Sequence, residues 1–176
     1  MSGTVSVRAV RKEDSAAIHA LYRHVARVPG GLARLEDEVT TAYVDAFLAR
    51  TLERGIGFVA VAEESVVGEI HAYSPGIFCF SHVLGDLTIA VDPSGQGQGI
   101  GRSLFERFMV EVIDGCPEIG RVELIARESN RRAIRFYESM GFVREGVFRQ
   151  RIRNLDGSIE ADVPMAWVRT EPEVGT

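Results

Sequence analysis

Residues 86–101 read DLTIAVDPSGQGQGIG, and the order of residue types in this stretch sets the architecture around it. Leu87, Thr88, Ile89, Ala90 and Val91 form a β-prone, mostly apolar run that predicts a strand. Asp92 and Pro93 stop it, because proline has no N–H for a sheet ladder and Asp-Pro favours a turn. Glycines follow at 95, 97, 99 and 101, and beyond them Ile100, Leu104, Phe105, Phe108, Met109 and Val112 recur at helical spacing. The expected unit is strand, glycine-rich turn, amphipathic helix. The first N–H groups of a helix have no partner within it and the helix dipole favours negative charge there. Glycines let the backbone come close to a ligand, so a diphosphate suits this turn.

Two common nucleotide fingerprints fail here. G-x-G-x-x-G would need its third glycine at Ile100, Arg102 or Leu104, and G-x-x-x-x-G-K-[ST] finds Gln96 in place of its first glycine and Arg102 in place of its lysine. What fits is Gln96, Gly99 and Gly101 as Q-x-x-G-x-G. A second block, SNRRAIRFYESMGF, carries Asn130, Ala133, Ile134, Phe136, Tyr137, Gly141 and Phe142. In this order and setting, the two blocks resemble the acyl-coenzyme A loop and the following helix of the GNAT superfamily of N-acyltransferases. The pattern is nearest to the phosphinothricin and amino-acid N-acetyltransferase branch. The resemblance covers residues 5–168 as an order of elements, but only 84–145 as motifs.

The rest of the chain limits the alternatives. Its 176 residues suit one domain able to bury a core, and 45% hydrophobic content is ordinary for a globular protein. A formal net charge of −5 argues against a general nucleic-acid binder. The apolar runs GFVAVA and LTIAV are far short of a membrane span, and MSGTVSVRAVRKED has no apolar signal core. No membrane association and a cytoplasmic setting are therefore expected. Cys79 and Cys116 have no metal spacing and read as free thiols without nucleophilic surroundings. His19, His24, His71 and His82 read as solvated or ordinarily hydrogen-bonded, and no metal is expected.

In chain order, VSVRAV at 5–10 predicts a strand, and Asp14 offers an N-cap to a helix whose apolar face is Ile18, Leu21, Tyr22 and Val25. Pro29, Gly30 and Gly31 mark a loop. A second apolar face, Val39, Tyr43, Phe47, Leu48 and Leu52, stops at Gly55. Strands at 56–62 and 66–73, joined by Glu63, Glu64 and Ser65, predict a hairpin. Ile77, Phe78 and Phe80 then fall in a loop at 74–81, readable as a lid, an oligomer contact or a core plug. Gly115 and Pro117 end the helix after the central turn, and Val122, Leu124 and Ile125 carry the next strand. Asn130 caps a helix to Met140, and Gly141 suits its left-handed C-terminal cap. Strands at 142–152 and 159–168 meet at an Asp156-Gly157 hairpin signal. Met165 and Trp167 read as core. The domain is drawn as 1–170, with a polar tail at 171–176 and fraying from 169 onward.

The resemblance implies a fold and a chemistry. The fold is α+β, a mixed, mostly antiparallel sheet of about seven strands flanked by helices. Acetyl-CoA is the expected cosubstrate. Gln96, Gly97, Gln98, Gly99, Ile100, Gly101 and Arg102 would hold its diphosphate through backbone N–H groups, with Arg102 as charge partner. Ile89, Ala90 and Val91 would hydrogen-bond the pantetheine arm where the central strand splays from its neighbour. A freed N–H near Ala90 or Val91 would face the thioester oxygen. Tyr137 stands where many of these enzymes hold a tyrosine beside the cofactor sulfur. A phenol of ordinary pKa, ~10, can protonate a departing thiolate, although Tyr137 also reads as a core aromatic. Asn130 is a helix cap that could also reach the pantetheine.

The amine needs a base. Asp86 stands where phosphinothricin-type enzymes carry an acidic residue and is the first choice; Glu123 is the runner-up, and Glu69 and His82 are outsiders acting through water. Ribosomal-protein N-terminal acetyltransferases carry a glutamate base five residues before the asparagine, where this chain has Ile125. The expected acceptor is thus a small-molecule primary amine, attacked directly without a covalent enzyme intermediate. Its pocket should be closed and walled by residues 27–38 and 74–82. Arg149, Arg151 and Arg153 would line one strand face, to meet an acceptor carboxylate or coenzyme phosphates, or as a solvated face. A protein N-terminus as acceptor and a non-catalytic acyl-CoA sensor are the alternatives. Oligomeric state is not legible; many relatives pair, and a homodimer could use the apolar loop at 77–80.

Overall fold

The structure, a computed structural model, describes residues 5–170. Eight strands form the sheet: β1 Ser6–Ala9, β2 Gly55–Ala62, β3 Ser65–Tyr73, β4 Val83–Val91, β5 Arg121–Arg127, β6 Val143–Arg144, β7 Phe148–Arg153 and β8 Ile159–Val168. Four helices flank it: α1 Ser15–Ala26, α2 Thr41–Arg54, α3 Ile100–Val110 and α4 Arg131–Ser139. The order is β1-β2-β3-β4-β5-β8-β6, with β7 also on β8. Every pairing is antiparallel except β4 with β5. The tail at 171–176 lies outside the described residues.

Alternation along the strands feeds two cores. On one face α1 and α2 bury Ile18, Leu21, Tyr22, Val44 and Phe47 against Val59 and Ala90. On the other, α3 and α4 bury Leu104, Phe105, Phe108 and Ile134 against Phe58, Ile70, Leu87, Leu124 and Met165. At about 25 cal/mol per Å² of apolar surface, each fully buried side chain of this size contributes roughly 1.5–3 kcal/mol before entropy is counted. Trp167 is only partly buried at the edge of this core.

Several expectations need correction. Asp14 does not cap α1; its carboxylate accepts from the Arg8 guanidinium at 2.7 and 2.8 Å and from the Arg11 N–H at 2.8 Å. Arg8 first, then these other contacts, hold its pKa below the usual carboxylate range against the opposing effect of burial. Leu52 is exposed rather than on the buried face of α2. The hairpin turn is Glu63 and Glu64 alone, both left-handed, with Ser65 already in β3. Phe78 is 91% exposed and Phe80 50%, so this loop is no core plug. Its ends are pinned at the strand ends by bonds from Ser74 N–H to Arg54 O and from Gly120 N–H to His82 O, which carries it over the surface.

The predicted strand at 142–152 is two strands, making eight in place of about seven. β6 and β7 lie along the same edge of β8, separated where the Glu145 N–H donates to Pro164 O. Pro164 has no N–H to return there, and the ladder breaks. Within β7, Gln150 is left-handed and the register shifts, so Arg149, Arg151 and Arg153 do not follow simple alternation. Arg169 is anchored by donating to Ile119 O at 3.0 Å and Val112 O at 2.7 Å, so the chain is not frayed at that residue. Among the described residues no helix is long and apolar enough to cross a membrane.

Candidate active site

A parallel pair that fails to zip creates the site. β4 and β5 register only at Val83 with Arg121 and Leu84 with Val122, then part. Just past that point Asp86 is left-handed, φ 54°, where the β3–β4 register also shifts. An aspartate tolerates this conformation better than most residues, and the bulge re-aims the strand. The parting opens a cleft of about 730 Å³, within the range of small-ligand pockets. Asp86, Ile89, Glu123, Asn130 and Tyr137 all line it.

One end of the cleft is walled from the α1–α2 side. Leu32 and Arg34 contribute from the loop, as expected for residues 27–38, whereas residues 74–82 line no part of it. The Arg34 guanidinium lies 4.0 Å from the Tyr43 ring centroid, and Phe47, His71 and Tyr73 continue the wall. The Arg50 guanidinium donates to the Tyr73 hydroxyl at 3.4 Å. Burial first, and the Asp86 carboxylate after it, raise the Tyr73 phenol above its ordinary value against the lowering effect of Arg50.

Towards the other end, the strand offers free donors. Asp92 N–H donates to Val67 O, so alternation turns Ala90 towards β3 and leaves the N–H groups of Ile89 and Val91 facing the gap. Of the two expected positions, Val91 fits and Ala90 does not. The turn at Gln96–Arg102 lies outside the cleft lining, at the start of α3. Gly97 and Gly99 are left-handed at φ 84° and 81°, and a Cβ at either would meet nothing within 4 Å, so their surroundings are open. No side chain caps α3, and the N–H groups of Gly97 and Gly99 to Arg102 have no acceptor among the described residues. This is an anion cradle in form. Arg102 pairs with Glu106 at 3.2 Å on the same helix.

Tyr137 belongs to the core and to the cleft at once. Its ring packs against Phe105 at 5.6 Å and Phe142 at 6.3 Å, yet it lines the cleft, and its hydroxyl has no hydrogen-bond partner among the described residues. Burial pushes its pKa up to about 12. Asn130 Oδ1 accepts from Ala133 N–H at 3.1 Å, which caps α4. Glu123 is already engaged: Arg121 Nε donates to it at 2.5 Å, while the two Nη groups of the same guanidinium donate to Glu145. These two carboxylates raise the Arg121 guanidinium above its ordinary value. His82 does not line the cleft.

The sequence reading missed one cluster. Glu69 and His71, 1% and 2% exposed, sit on the α1–α2 face of β3. Tyr22 donates to Glu69 Oε2 at 2.6 Å, and His71 Nδ1 lies 3.1 Å from both Glu69 oxygens. The signal available was two ionisable residues in period-two spacing within the apolar strand SVVGEIHAY.

Comparison with known proteins gives a consistent picture. The acetyltransferase (GNAT) domain family matches residues 53–144. L-amino acid N-acyltransferase MnaT of Escherichia coli is 29% identical over 147 residues, 79% of this chain and 80% of its own. Phosphinothricin N-acetyltransferase of Alcaligenes faecalis is 28% identical over 148 residues, covering 82% and 73%. The ribosomal protein bS18-alanine N-acetyltransferase of Escherichia coli is 38% identical over 73 residues, covering 42% and 48%. In fold, YncA of Salmonella typhimurium, solved with its cofactor acetyl-CoA, superposes with a TM-score of 0.81 at 22% identity, covering 97% of this chain and 96% of its own.

Proposed function

The chain belongs to the GNAT acetyltransferase family, and from that premise we propose that it moves an acetyl group from acetyl-CoA to the primary amine of a small molecule, an amino acid or a compound like one. The observation that carries the reading is that Asp86 and Tyr137, from two separate elements, line one cleft where β4 and β5 part. Acetyl-CoA, when bound, supplies an acetyl group activated as a thioester. The open left-handed glycines and the free N–H groups of Gly97 and of Gly99 to Arg102 fit its diphosphate, and the gap-facing N–H groups of Ile89 and Val91 fit its pantetheine arm. Asn130, which lines the same cleft, would meet that arm, and Gln96 and Gln98 belong to the turn.

The side chains then have distinct tasks. The Tyr137 hydroxyl holds its proton throughout the neutral range and delivers it to the leaving thiolate. Asp86 meets the incoming ammonium group with its negative charge. Glu123, tied to Arg121, is the weaker candidate for that task. Cys79 and Cys116 do not line the cleft, which supports direct attack rather than a covalent enzyme intermediate.

The aromatic wall of Tyr43, Phe47 and Tyr73, with Arg34 and Arg50 beside it, favours a compact acceptor bearing an apolar part and a carboxylate. The names of the amino-acid and phosphinothricin relatives point the same way. A protein N-terminus is the second reading, favoured by the bS18-alanine relative. The test is release of free coenzyme A thiol from acetyl-CoA across amino acids, polyamines, aminoglycosides and short peptides. Transfer to small amines is expected; transfer confined to peptides would replace this reading with the second, and tight acetyl-CoA binding without turnover would replace it with an acyl-CoA sensor.

A further inference from the structure

A carboxylate of ordinary strength is a weak base towards an ammonium group, whereas an imidazole is better matched to neutral pH. The cleft contains one histidine, His71, and its setting is unlike that of a structural histidine. Its Nδ1 lies 3.1 Å from each Glu69 oxygen, so the neutral ring donates Nδ1–H to the carboxylate and leaves the Nε2 lone pair free. Nε2 has no hydrogen-bond partner among the described residues, yet it is not a sealed orphan: the residue lines the cleft and keeps a trace of exposure. The ring plane is fixed by Phe47, stacked at 4.2 Å and 10°, and by Tyr73, parallel at 6.0 Å. Glu69 is itself oriented by the Tyr22 hydroxyl at 2.6 Å.

We propose that His71 is the residue that receives the acceptor's proton at Nε2, with Glu69 and Tyr22 as its positioning residues and Asp86 as the anion that draws the ammonium in. This deepens the acetyl-transfer reading and rests on it. In the step, one N–H bond of the ammonium breaks and an Nε2–H bond forms. The electron pair stays on the amine nitrogen, which becomes the nucleophile, and the imidazolium later returns the proton to solvent. Glu69 stabilises the imidazolium through the same Nδ1–H bond, the arrangement in which a buried carboxylate orients and supports a histidine base. The titratable groups against the ring are Glu69 and Tyr73 on β3 and Tyr22 on α1, whose hydroxyl lies 3.5 Å from Nδ1; behind them Tyr43 on α2 packs on Tyr22, and Arg50 on α2 and Asp86 on β4 face Tyr73. Glu69 is the one among them that contacts the imidazole through a carboxylate.

The experiment is the pH profile of kcat/KM on the active amine for wild type, His71→Gln, Glu69→Gln and Asp86→Asn, with acetyl-CoA affinity measured alongside. His71→Gln is expected to lower kcat/KM by ~10²–10⁴ and to remove the acidic limb, with acetyl-CoA affinity within about 2-fold. Glu69→Gln should move that limb to lower pH, and Asp86→Asn should raise KM while keeping it. An active wild type whose limb survives in His71→Gln and vanishes in Asp86→Asn overturns the proposal and leaves the acetyl-transfer reading standing; a wild type that transfers to no amine overturns both. Should His71→Gln fail to fold, diethyl pyrocarbonate on the wild type decides by site-resolved mass spectrometry. Loss of transfer in step with His71 modification, prevented by the amine, is expected, and full modification without loss overturns it.

Discussion

The proposed donor end of the cleft is assembled from neighbours in sequence, while the proposed acceptor end is assembled from Tyr22, Phe47, His71 and Asp86, which stand on four different elements. The donor end works mainly through backbone: free N–H groups at Ile89 and Val91 and, beyond the cleft lining, at the start of α3, with glycines that keep the approach open. The acceptor end works through side chains that hold one another in place, as in the Tyr22, Glu69 and His71 cluster. A backbone site tolerates many side-chain changes but no blocked approach. A side-chain site tolerates almost none, because removing one member leaves another buried polar group unpaired.

The contrast is broken most sharply at Tyr137, where the two ends meet. Tyr137→Phe is expected to lower kcat by ~10²–10⁴ with acetyl-CoA affinity nearly unchanged, measured by steady-state kinetics and calorimetry. An unchanged kcat with chemistry rate-limiting would remove Tyr137 as the acid. Because burial raises this phenol to about 12, its basic limb should lie near that value instead of ~10. The sign for stability follows: the fold favours the neutral phenol, so its contribution is complete below the unfolded value of ~10 and is lost as pH rises towards 12.

Next in size is Gly99→Val. It places a β-branched side chain at a left-handed position, in the open space the proposed diphosphate would take. Acetyl-CoA binding should weaken by ~10–100-fold, about 1.4–2.8 kcal/mol, with the Tyr22, Glu69 and His71 cluster undisturbed. The smallest effect on ligand binding belongs to Tyr22→Phe, which takes a hydrogen bond from a buried carboxylate and acts on stability instead. A stability loss of roughly 1–3 kcal/mol, read by denaturant unfolding, is expected with acetyl-CoA affinity unchanged. Equal losses of affinity in both variants would erase the distinction between the two ends.

The same difference explains what could be read from the chain. Gly97, Gly99, Asn130 and Tyr137 lie within two short blocks whose pattern resembles that of a family, so the glycine turn, the α4 cap and the place of the tyrosine were legible. His71 was not, because its meaning depends on a tyrosine on α1 and a phenylalanine on α2, and nothing in the β3 sequence names those partners. The break between β6 and β7 was hidden for a similar reason: the proline responsible sits on β8. The loop at Phe78 could be read as a lid, a contact or a core plug because apolar composition does not say which side of a pinned strand end a loop will take.

The most direct test of a two-ended cleft is an amide chemical-shift titration of the isotope-labelled protein, first with acetyl-CoA and then with the amine that supports turnover. The account predicts that acetyl-CoA moves the amides of Ile89, Val91 and Gly97 to Arg102, and that the amine then moves those of Phe47, His71, Tyr73 and Asp86. Shifts from both ligands on one shared set, or acetyl-CoA shifts confined to the α1–α2 side, would contradict it.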